Sequence, residues 1–484
     1  MEFIISETDD VLVSHSGLAL AGALLQRTGL RSRLDALAVE GLKRPAMPHG
    51  EVLLSMIGLL CLGKSDYAAI ESFRGEDFFA RALGLSRLPS EETLRQRMDQ
   101  LGTAPLTILH EETATLLHEN APAPASCHRG RVPLDVDVSP WDNSGTKKEG
   151  VACTYKLCEG YAPIFAYLGT EGYLIHSELR PGDQHCQRGT PEFLDRAIAL
   201  ARKVTNAKLL VRMDAGNDDE ENLRRLRKAK VDWIIKRNLR NESPEDWLEE
   251  AQALGVWEEP REGKQIYTGQ TWRQRDGRLQ RVIFQVVQRT IAADGQRLLV
   301  PEIEIDTWWT SLGPRTASAE EVIELYHQHG TSEQFHSELK TEMDLERLPS
   351  GKFATNALML ALGQVALSED RRLPPNEKMP LSQPVTRRRL RSVMQDLMYL
   401  AARLTRHARR FGLKLWRDNP WRFVWQRLYH QFTQSVAVGL GRSSRRTTPT
   451  VHGFRSHLMP ASFMDALITG KIDSAFPEAG LIMM

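Results

Sequence analysis

Cysteine is scarce in this chain of 484 residues. Its five cysteines are Cys61, Cys127, Cys153, Cys158 and Cys186. An odd and sparse set argues against a disulfide-stapled scaffold and is typical of a reducing compartment. The fold must therefore depend on a hydrophobic core, for which this length and a 41% hydrophobic content are sufficient.

Long hydrophobic runs are also missing. The longest, near residues 52–62, is interrupted by Ser55 and Gly58, and it is well short of the roughly 20 residues that a membrane-spanning helix needs. The acidic N-terminus has no signal-peptide pattern. No G-x-x-x-x-G-K loop occurs, so ATP use is not indicated. These absences predict a cytoplasmic protein with no membrane partner.

Neither sign of charge is in excess, since 63 basic side chains face 62 acidic ones. A surface for a polyanion must therefore come from local segregation of charge. Residues 387–417 show such segregation, because Asp396 is their only acidic residue among many arginines. Interleaved apolar residues predict an amphipathic helix with a basic face there, on which Arg403, Arg406 and Arg410 are expected to bind DNA. The alternative is a solvated charged face.

Residues 1–125 are predicted to form a helical DNA-binding domain, because apolar residues recur there at three- and four-residue spacing. Ser90, followed by two glutamates, is typical of a helix start. Arg95 and Arg97 come next, an arrangement that could be a helix-turn-helix presenting arginines to DNA. The alternative is again a charged helix face in solvent.

The middle of the chain alternates between strands and helices. Three strands with a hairpin, then helix, strand, helix and strand, are predicted in 126–254. This is the ribonuclease H order, an α/β fold in which helices flank a mixed sheet. Residues 313–372 are expected to complete this catalytic core after a β-rich insertion at 255–312. A basic helical C-terminal domain at 373–435 and an irregular tail at 436–484 are expected to follow.

Two aspartates, Asp137 and Asp214, are candidate metal ligands because an unpaired carboxylate in or beside an apolar strand is energetically unfavourable. Asp137 lies in an apolar strand, with Asp135 two positions earlier on the same face, and Asp214 ends the fourth strand. Strands one and four are neighbours in the ribonuclease H order, so Asp137 and Asp214 are expected to be adjacent. Neighbouring carboxylates repel each other, and a divalent cation relieves that repulsion. Oxygen ligands favour two Mg²⁺ ions, with Mn²⁺ as a substitute.

Glu333 is the candidate for a third metal ligand. Tyr326, Glu333 and Lys340 are spaced so that they share one stripe if the helix is continuous. Gly330-Thr331 could break that helix, in which case Thr331 and Gln334 form a capping box for a new one. In either case Lys340 could hold a DNA phosphate beside the metal site.

Each carboxylate also has a purely structural interpretation. Asp-x-Asp is not rare in strands, Asp214 could cap the helix that follows it, and Glu333 could be a first-turn carboxylate favoured by the helix dipole. The residues alone do not decide between Asp135 and Asp137 as the ligand. All three positions together, each where the fold requires it, are much harder to explain by chance.

The chain resembles bacterial insertion-sequence transposases of the DDE type with a Y-R-E-K signature. The matching residues are Asp137-Val-Ser139, Arg212-Met-Asp214-Ala-Gly216 and Tyr326…His329…Glu333…Lys340. The resemblance implies that Asp137, Asp214 and Glu333 are catalytic and bind the metal. It implies DNA contacts for Tyr326, for Lys340 and for His329, which replaces the arginine of the signature and is not always charged.

The resemblance also implies the partners. Members of the family bind double-stranded DNA, both terminal inverted repeats and target, and follow a cut-and-paste route as a homodimer in a synaptic complex. The expected place is a bacterial cytoplasm, in association with the nucleoid. A tryptophan of the insertion holds a flipped base, for which Trp308 and Trp309 are the candidates. Packing within the sheet is the alternative for these two residues.

Two rival functions fit many of the same residues. A degenerate transposase would bind DNA without cutting it, and His329 is the sole feature in its favour. A host nuclease of the ribonuclease H class would cut without end specificity. The retention of all three carboxylates favours the active transposase.

Overall fold

The computed structural model describes residues 3–42, 45–370, 388–408 and 410–434. They belong to one compact unit spanning 1–436, in which many helices accompany a large mixed sheet. The predicted tail at 436–484 lies outside the described residues, as do Arg409 and the first part of the predicted C-terminal domain. No helix in the described part of the chain is long and apolar enough to cross a membrane.

The N-terminal region is helical apart from a short strand, β1 (Val11–Val13). Its helices are α1 (Leu18–Leu25), α2 (Leu30–Asp35), α3 (His49–Cys61), a 3-10 helix (Tyr67–Phe73), α4 (Asp77–Ala82), α5 (Glu91–Leu101) and α6 (Leu106–Asn120). Ser90 starts α5, as predicted, because its hydroxyl accepts a hydrogen bond from the Thr93 N–H. Helix α3 is buried over its whole length and lies at the centre of this region.

Strands dominate the middle of the chain. They are β2 (Arg131–Val138), β3 (Trp141–Asp142), β4 (Ala152–Cys153), β5 (Glu159–Tyr161), β6 (Ile164–Leu168), β7 (Tyr173–Glu178), β8 (Lys208–Met213), β9 (Asp232–Lys236), β10 (Val256–Arg261), β11 (Lys264–Arg275), β12 (Arg278–Ile291) and β13 (Arg297–Thr310). Nine of them form one sheet in the order β10-β11-β12-β13-β9-β8-β2-β6-β7, and three form a small sheet in the order β3-β5-β4. Strand β8 pairs in parallel with both β2 and β9, and the other neighbours in the large sheet are antiparallel.

Helices cover both faces of the large sheet. They are α7 (Thr190–Val204), α8 (Glu220–Ala229), α9 (Pro244–Leu254), α10 (Ala319–His327), α11 (Ser332–Ser337) and α12 (Phe353–Asp370). The alternation along β2 separates two environments, because successive side chains point to opposite faces. Leu134 and Val136 pack with Phe193 of α7 in one apolar cluster, whereas Asp135 and Asp137 meet residues that follow α10. This face of β2 carries the candidate site.

The strands predicted between residues 255 and 312 extend the large sheet. Strands β11, β12 and β13 form long antiparallel pairs. At its C-terminal end β13 also pairs with β9, where Trp309 lies opposite Ile235. The inner end of β13 is therefore part of the central sheet, while β10 is an exposed edge strand.

One hydrophobic cluster joins distant parts of the chain. It contains the apolar residues of α3, many of α12, and Trp425 and Leu428 of α14 (Arg422–Gln434). The N-terminal helices therefore share a core with the region that follows the predicted third carboxylate. Whether the chain also divides into the predicted domains stays a prediction.

The prediction of a basic amphipathic helix at 387–417 is wrong. A short helix, α13 (Leu390–Val393), continues as a π-helical turn to Met398, and a hairpin of β14 (Ala402–His407) and β15 (Arg410–Leu415) follows. Strand β14 pairs with β1, so the structure of this segment depends on residues at the other end of the chain. Leu404, Leu413 and Leu415 pack against the main core and anchor the hairpin.

We predict that Gly22→Ala destabilises the fold by about 2 kcal/mol, because overpacking forces neighbouring backbone to move. A Cβ atom at Gly22 would lie 1.7 Å from the carbonyl oxygen of Ala82 in α4. Gly75→Ala is the matched control, since a Cβ there meets nothing within 4 Å. Urea unfolding followed by circular dichroism measures both. Equal midpoints for the two variants would contradict the close packing of α1 on α4.

Candidate active site

Asp137 lies near the C-terminal end of β2, and protein donors hold its carboxylate. Oδ1 accepts a hydrogen bond of 2.8 Å from the Val138 N–H. Oδ2 accepts one of 3.2 Å from the Ser332 hydroxyl and lies 3.1 Å from Nε2 of His336. Burial raises the pKa of Asp137, but the hydrogen bond and charge of His336 outweigh it, so the pKa lies below its ordinary value.

Residues of β6 hold His336 in turn. Its Nδ1 lies 3.1 Å from the Tyr167 hydroxyl, and the Phe165 ring packs against the imidazole with a centroid distance of 5.1 Å. The imidazole thus bridges Asp137 at Nε2 and the Tyr167 hydroxyl at Nδ1, and both contacts fix the orientation of the ring. The sequence analysis missed Ser332, His336 and Tyr167. The four-residue spacing of Ser332 and His336 around Glu333 was the available signal, because such residues share a helix face.

Asp214 directly follows β8. The parallel register sets Val136 of β2 opposite Met213 of β8, which makes the next residues, Asp137 and Asp214, neighbours. Asn217 donates a hydrogen bond of 2.6 Å to Oδ1 of Asp214. Burial, and then the charge of Asp137, raise the pKa of Asp214 above its ordinary value. The strand ends therefore bring together two carboxylates that repel each other.

Glu333 lies on α11 between the two residues that contact Asp137, and its side chain is exposed. Its charge raises the pKa of Tyr155, after burial and the charges of Asp137 and Asp214. The charges of all three carboxylates therefore act on the Tyr155 hydroxyl. No group of three His, Cys, Asp or Glu side chains in the described residues is assembled tightly enough to hold a metal ion. Glu333 must turn toward the aspartates to join them.

Tyr326 and Lys340 lie at the two ends of this helical stretch, which changes type without leaving helical backbone angles. It runs from α10 through a 3-10 turn (Gln328–Thr331) and α11 into a π-helical turn (Glu338–Glu342). The predicted capping box is absent, since the Thr331 hydroxyl donates to the Gln328 carbonyl instead. Burial and the charges of Asp214 and Asp137 raise the pKa of Tyr326. The Lys340 ammonium donates 2.7 Å to the Pro140 carbonyl, just beyond β2, and burial lowers its pKa.

The prediction that His329 contacts DNA is not supported by its position. The side chain is 8% exposed, and its Nδ1 lies 3.2 Å from Oδ1 of Asp135. Burial lowers the pKa of His329, but Asp135 outweighs burial and raises it. His329 therefore lies below the surface of the site, next to Asp135, where its side chain does not reach a phosphate at the surface.

Asp135 forms a buried ion pair with Arg212. Arg212 of β8 donates from Nε and Nη2 to the two oxygens, at 2.6 and 2.7 Å, and from Nη1 to the Leu325 carbonyl of α10 at 2.6 Å. Both side chains are almost completely buried. Burial raises the pKa of Asp135, but Arg212 outweighs it and the pKa lies below the ordinary value. Because Arg212 takes both of its oxygens, Asp135 is the less available of the two aspartates on β2.

The structure places Trp308 and Trp309 in the core, with 1% and 2% exposure, and not at a surface where a flipped base could stack. Trp308 packs against the Tyr326 ring at 5.7 Å, and Trp309 donates a hydrogen bond of 3.0 Å to Asp218. The physical reason is their position at the junction of β13 with β9, where the strand enters the core.

Arg97 is also buried, in contrast to its predicted role at a DNA surface. It donates to the Met47 carbonyl at 3.1 Å and lies 3.3 Å from Nδ1 of His49. Its position on α5 is part of the buried face that carries Leu94 and Leu101. The spacing of polar residues along this helix does not show which of the two arginines faces the core.

The other predicted DNA-binding arginines are on the surface. Arg95 pairs with Glu92 at 2.6 Å, and Arg403 pairs with Asp10 at 2.7 Å. Arg406 lies over the Phe411 ring at 5.6 Å, and Arg410 is exposed at the start of β15. Their exposure leaves them available to a partner, although the last three extend from a hairpin and not from a helix.

Adjacent carboxylates at the ends of parallel strands, with a third on the helix beside them, suit an enzyme that acts with divalent cations. The family model described as Transposase DDE domain group 1 matches residues 5–437, and the chain therefore belongs to this family of DDE transposases. It is an enzyme of DNA transposition, which binds DNA, cleaves it and transfers strands with the help of divalent metal ions.

A cryo-EM structure of the piggyBac transposase synaptic complex with hairpin DNA is similar, at a TM-score of 0.39 and 9% identity. That match covers 89% of this chain and 83% of the other. A comparison with curated proteins found no match.

We predict that Arg212→Met lowers the free energy of unfolding by about 3–5 kcal/mol, because it leaves the Asp135 charge buried without its partner. Arg95→Met is the matched control, since its pair with Glu92 is exposed and solvent screens the attraction between the two charges. Chemical denaturation of the full chain measures both. A loss for Arg212→Met no larger than that of the control would refute the structural importance of this ion pair.

Proposed function

We propose that this transposase nicks DNA at the ends of a mobile element and joins the freed 3′-hydroxyl to target DNA, with Asp137, Asp214 and Glu333 as catalytic residues. The main support for this proposal is that Asp137 and Asp214 lie close together at neighbouring strand ends. The helix that bears Glu333 contacts Asp137 directly through Ser332 and His336. The three residues therefore share one face of the molecule.

We propose a ribonuclease H-like core for this site. The strand order β7-β6-β2-β8-β9 supports it, because the first three strands are antiparallel and the next two join β2 in parallel. Helices α7 and α8 make the crossovers between the parallel strands. The insertion would then be the set of strands β10–β13 between β9 and α10.

We propose Mg²⁺ as the metal, as two ions that Mn²⁺ can replace. The carboxylate oxygens of Asp137, Asp214 and Glu333 are the ligand type that Mg²⁺ prefers. The fit is supported by the raised pKa of Asp214, since a cation between the two aspartates would relieve their repulsion. When bound, such ions activate an attacking hydroxyl and stabilise the leaving oxygen of a phosphodiester. Asp137 is preferred over Asp135 because Arg212 already engages the latter.

Around this centre, the protein's own residues would hold the DNA. Lys340 lies next to the end of β2, and its ammonium can turn from the Pro140 carbonyl to a phosphate. The Tyr326 hydroxyl would help to position the strand, since the charges of Asp214 and Asp137 reach it. Arg403, Arg406 and Arg410 would bind duplex DNA farther from the site.

The proposed biological setting is a bacterial insertion sequence moved by a cut-and-paste route. Two copies of the chain would each hold one terminal inverted repeat in a synaptic complex. A degenerate transposase is not favoured, because His329, the feature that suggested it, pairs with Asp135 and leaves the three carboxylates in place. The family assignment also disfavours a host nuclease.

Asp214→Asn, Asp137→Asn and Glu333→Gln are each expected to reduce DNA nicking by at least about 10²-fold, since each removes charge stabilisation worth several kcal/mol. The substrate is a duplex carrying the terminal repeats that bracket the gene, incubated with Mg²⁺ or Mn²⁺, and with EDTA as the metal-free reaction. Glu320→Gln, an exposed glutamate on α10, is the control. Nicking by Asp214→Asn at the parent rate, or undiminished nicking in EDTA, would refute the assignment.

Arg406→Ala is expected to weaken binding of all duplex sequences alike and to reduce the slope of log K against log salt by about 1, because one phosphate contact is lost. Fluorescence anisotropy at several salt concentrations measures that slope. Arg289→Ala is the control, since Glu302 and Glu304 hold its guanidinium. An unchanged slope for Arg406→Ala would exclude this hairpin from the DNA surface.

A further inference from the structure

The turn between β4 and β5 forms a short, well-fixed projection. The Thr154 N–H donates to the Cys158 carbonyl at 2.9 Å, and the Leu157 N–H donates to the Thr154 carbonyl at 2.9 Å. Strands β4 and β5 pair directly below it, and Thr154 is buried. Tyr155, Lys156 and Leu157, called here the β4–β5 tip, therefore project from a rigid base.

The β4–β5 tip reaches the catalytic face. The Tyr155 hydroxyl donates a hydrogen bond of 3.3 Å to the carbonyl of Val138, the residue after Asp137. Burial of this hydroxyl and the charges of Asp137, Asp214 and Glu333 raise the Tyr155 pKa. The hydroxyl end of the tyrosine therefore lies beside the end of β2 that carries Asp137, and this hydrogen bond restricts the position of its ring.

Most of the β4–β5 tip is nevertheless exposed. Tyr155 is 64% exposed and Leu157 is 87% exposed, and the Lys156 ammonium lies 6.0 Å from the Tyr155 ring centroid. Leu157 has a φ of 61°, in the left-handed region that bulky side chains disfavour. Backbone strain of this kind concentrates at functional sites. An aromatic ring, an aliphatic side chain and a cation are therefore presented together beside the carboxylates.

Nucleic acid offers the chemistry that matches this set. A tyrosine ring stacks on any base, an aliphatic side chain can pack against a base or sugar, and an ammonium pairs with a phosphate. A base beside a cut must leave the duplex stack, or lie at its end, before a protein ring can reach its face. The tyrosine hydroxyl is already bonded to Val138, so its ring remains the free part.

We propose that the β4–β5 tip positions the scissile strand, with the Tyr155 ring stacked on the nucleobase next to the cut phosphodiester and Lys156 on the adjoining phosphate. This inference rests on the proposed function, since it takes the DNA strand at the three carboxylates as the ligand. Tyr155 is a positioning residue here: it fixes the strand and takes no part in the chemistry. It provides the aromatic surface that the buried Trp308 and Trp309 cannot provide.

The test uses the full chain with Asp214→Asn, which keeps the DNA intact. Terminal-repeat duplexes carry 2-aminopurine, a fluorescent base that stacking quenches, on either side of the cut in separate oligonucleotides. Neighbouring bases quench this probe in the free duplex, and in the complex we expect the probe on one side of the cut to stay quenched because it stacks on the Tyr155 ring. Adding Tyr155→Ala should abolish that quenching and weaken binding about 5-fold or more, whereas Tyr155→Phe should retain it because the ring is kept.

Trp257→Ala is the matched control, since this aromatic residue on β10 is 59% exposed and far along the sheet order from β2. It should leave the quenching unchanged. If Tyr155→Ala quenches like its parent while the unsubstituted chain nicks the same DNA, the β4–β5 tip assignment is overturned and the proposed function stands. If the unsubstituted chain fails to nick that DNA, the proposed function is overturned and the tip assignment with it.

Discussion

The ion pair between Asp135 and Arg212 is the interaction on which the site depends. It connects two adjacent parallel strands and, through the Leu325 carbonyl, the helix that leads to Glu333. Burying two charges is costly, and mutual attraction compensates only when the geometry is good and the remaining donors are satisfied. Here a bidentate pair and a carbonyl satisfy the guanidinium. The arrangement fixes the register that sets Asp137 beside Asp214.

Above this pair, the second aspartate of β2 is held by a different set of groups. Ser332 and His336 bond to Asp137 from α11, and Tyr167 holds His336 from β6. The same helical turn carries Glu333 outward into solvent. The two aspartates are thus held in place by the sheet and its neighbouring helix, whereas the Glu333 side chain is exposed.

Sequence reasoning succeeded where local pattern and strand pairing agree. The mixed α/β architecture and the Ser90 helix start followed from apolar periodicity and capping chemistry. It failed where distant segments decide. Strand β14 exists because β1 pairs with it, and no periodicity within 387–417 reveals that partner. The sequence predicted that Trp308 and Trp309 belong to the insertion, but the pairing of β13 with β9 places them within the central sheet.

The arginine-to-histidine change in the signature illustrates the same limit. From the sequence, His329 suggested a weakened phosphate contact. In the fold it lies behind the carboxylates, against Asp135, where burial lowers its pKa and the neighbouring aspartate outweighs that effect.

The hydrophobic cluster shared by α3, α12 and α14 has a consequence for how the molecule can be divided. Helix α12 packs against α3, and α14 packs against α1, so a fragment ending near residue 125 would expose apolar side chains of the N-terminal helices to water. The N-terminal helices and α14 should then unfold together, in a single cooperative step. The N-terminal helices thus share part of their hydrophobic interior with the catalytic region, and loss of these helices would destabilise that region as well.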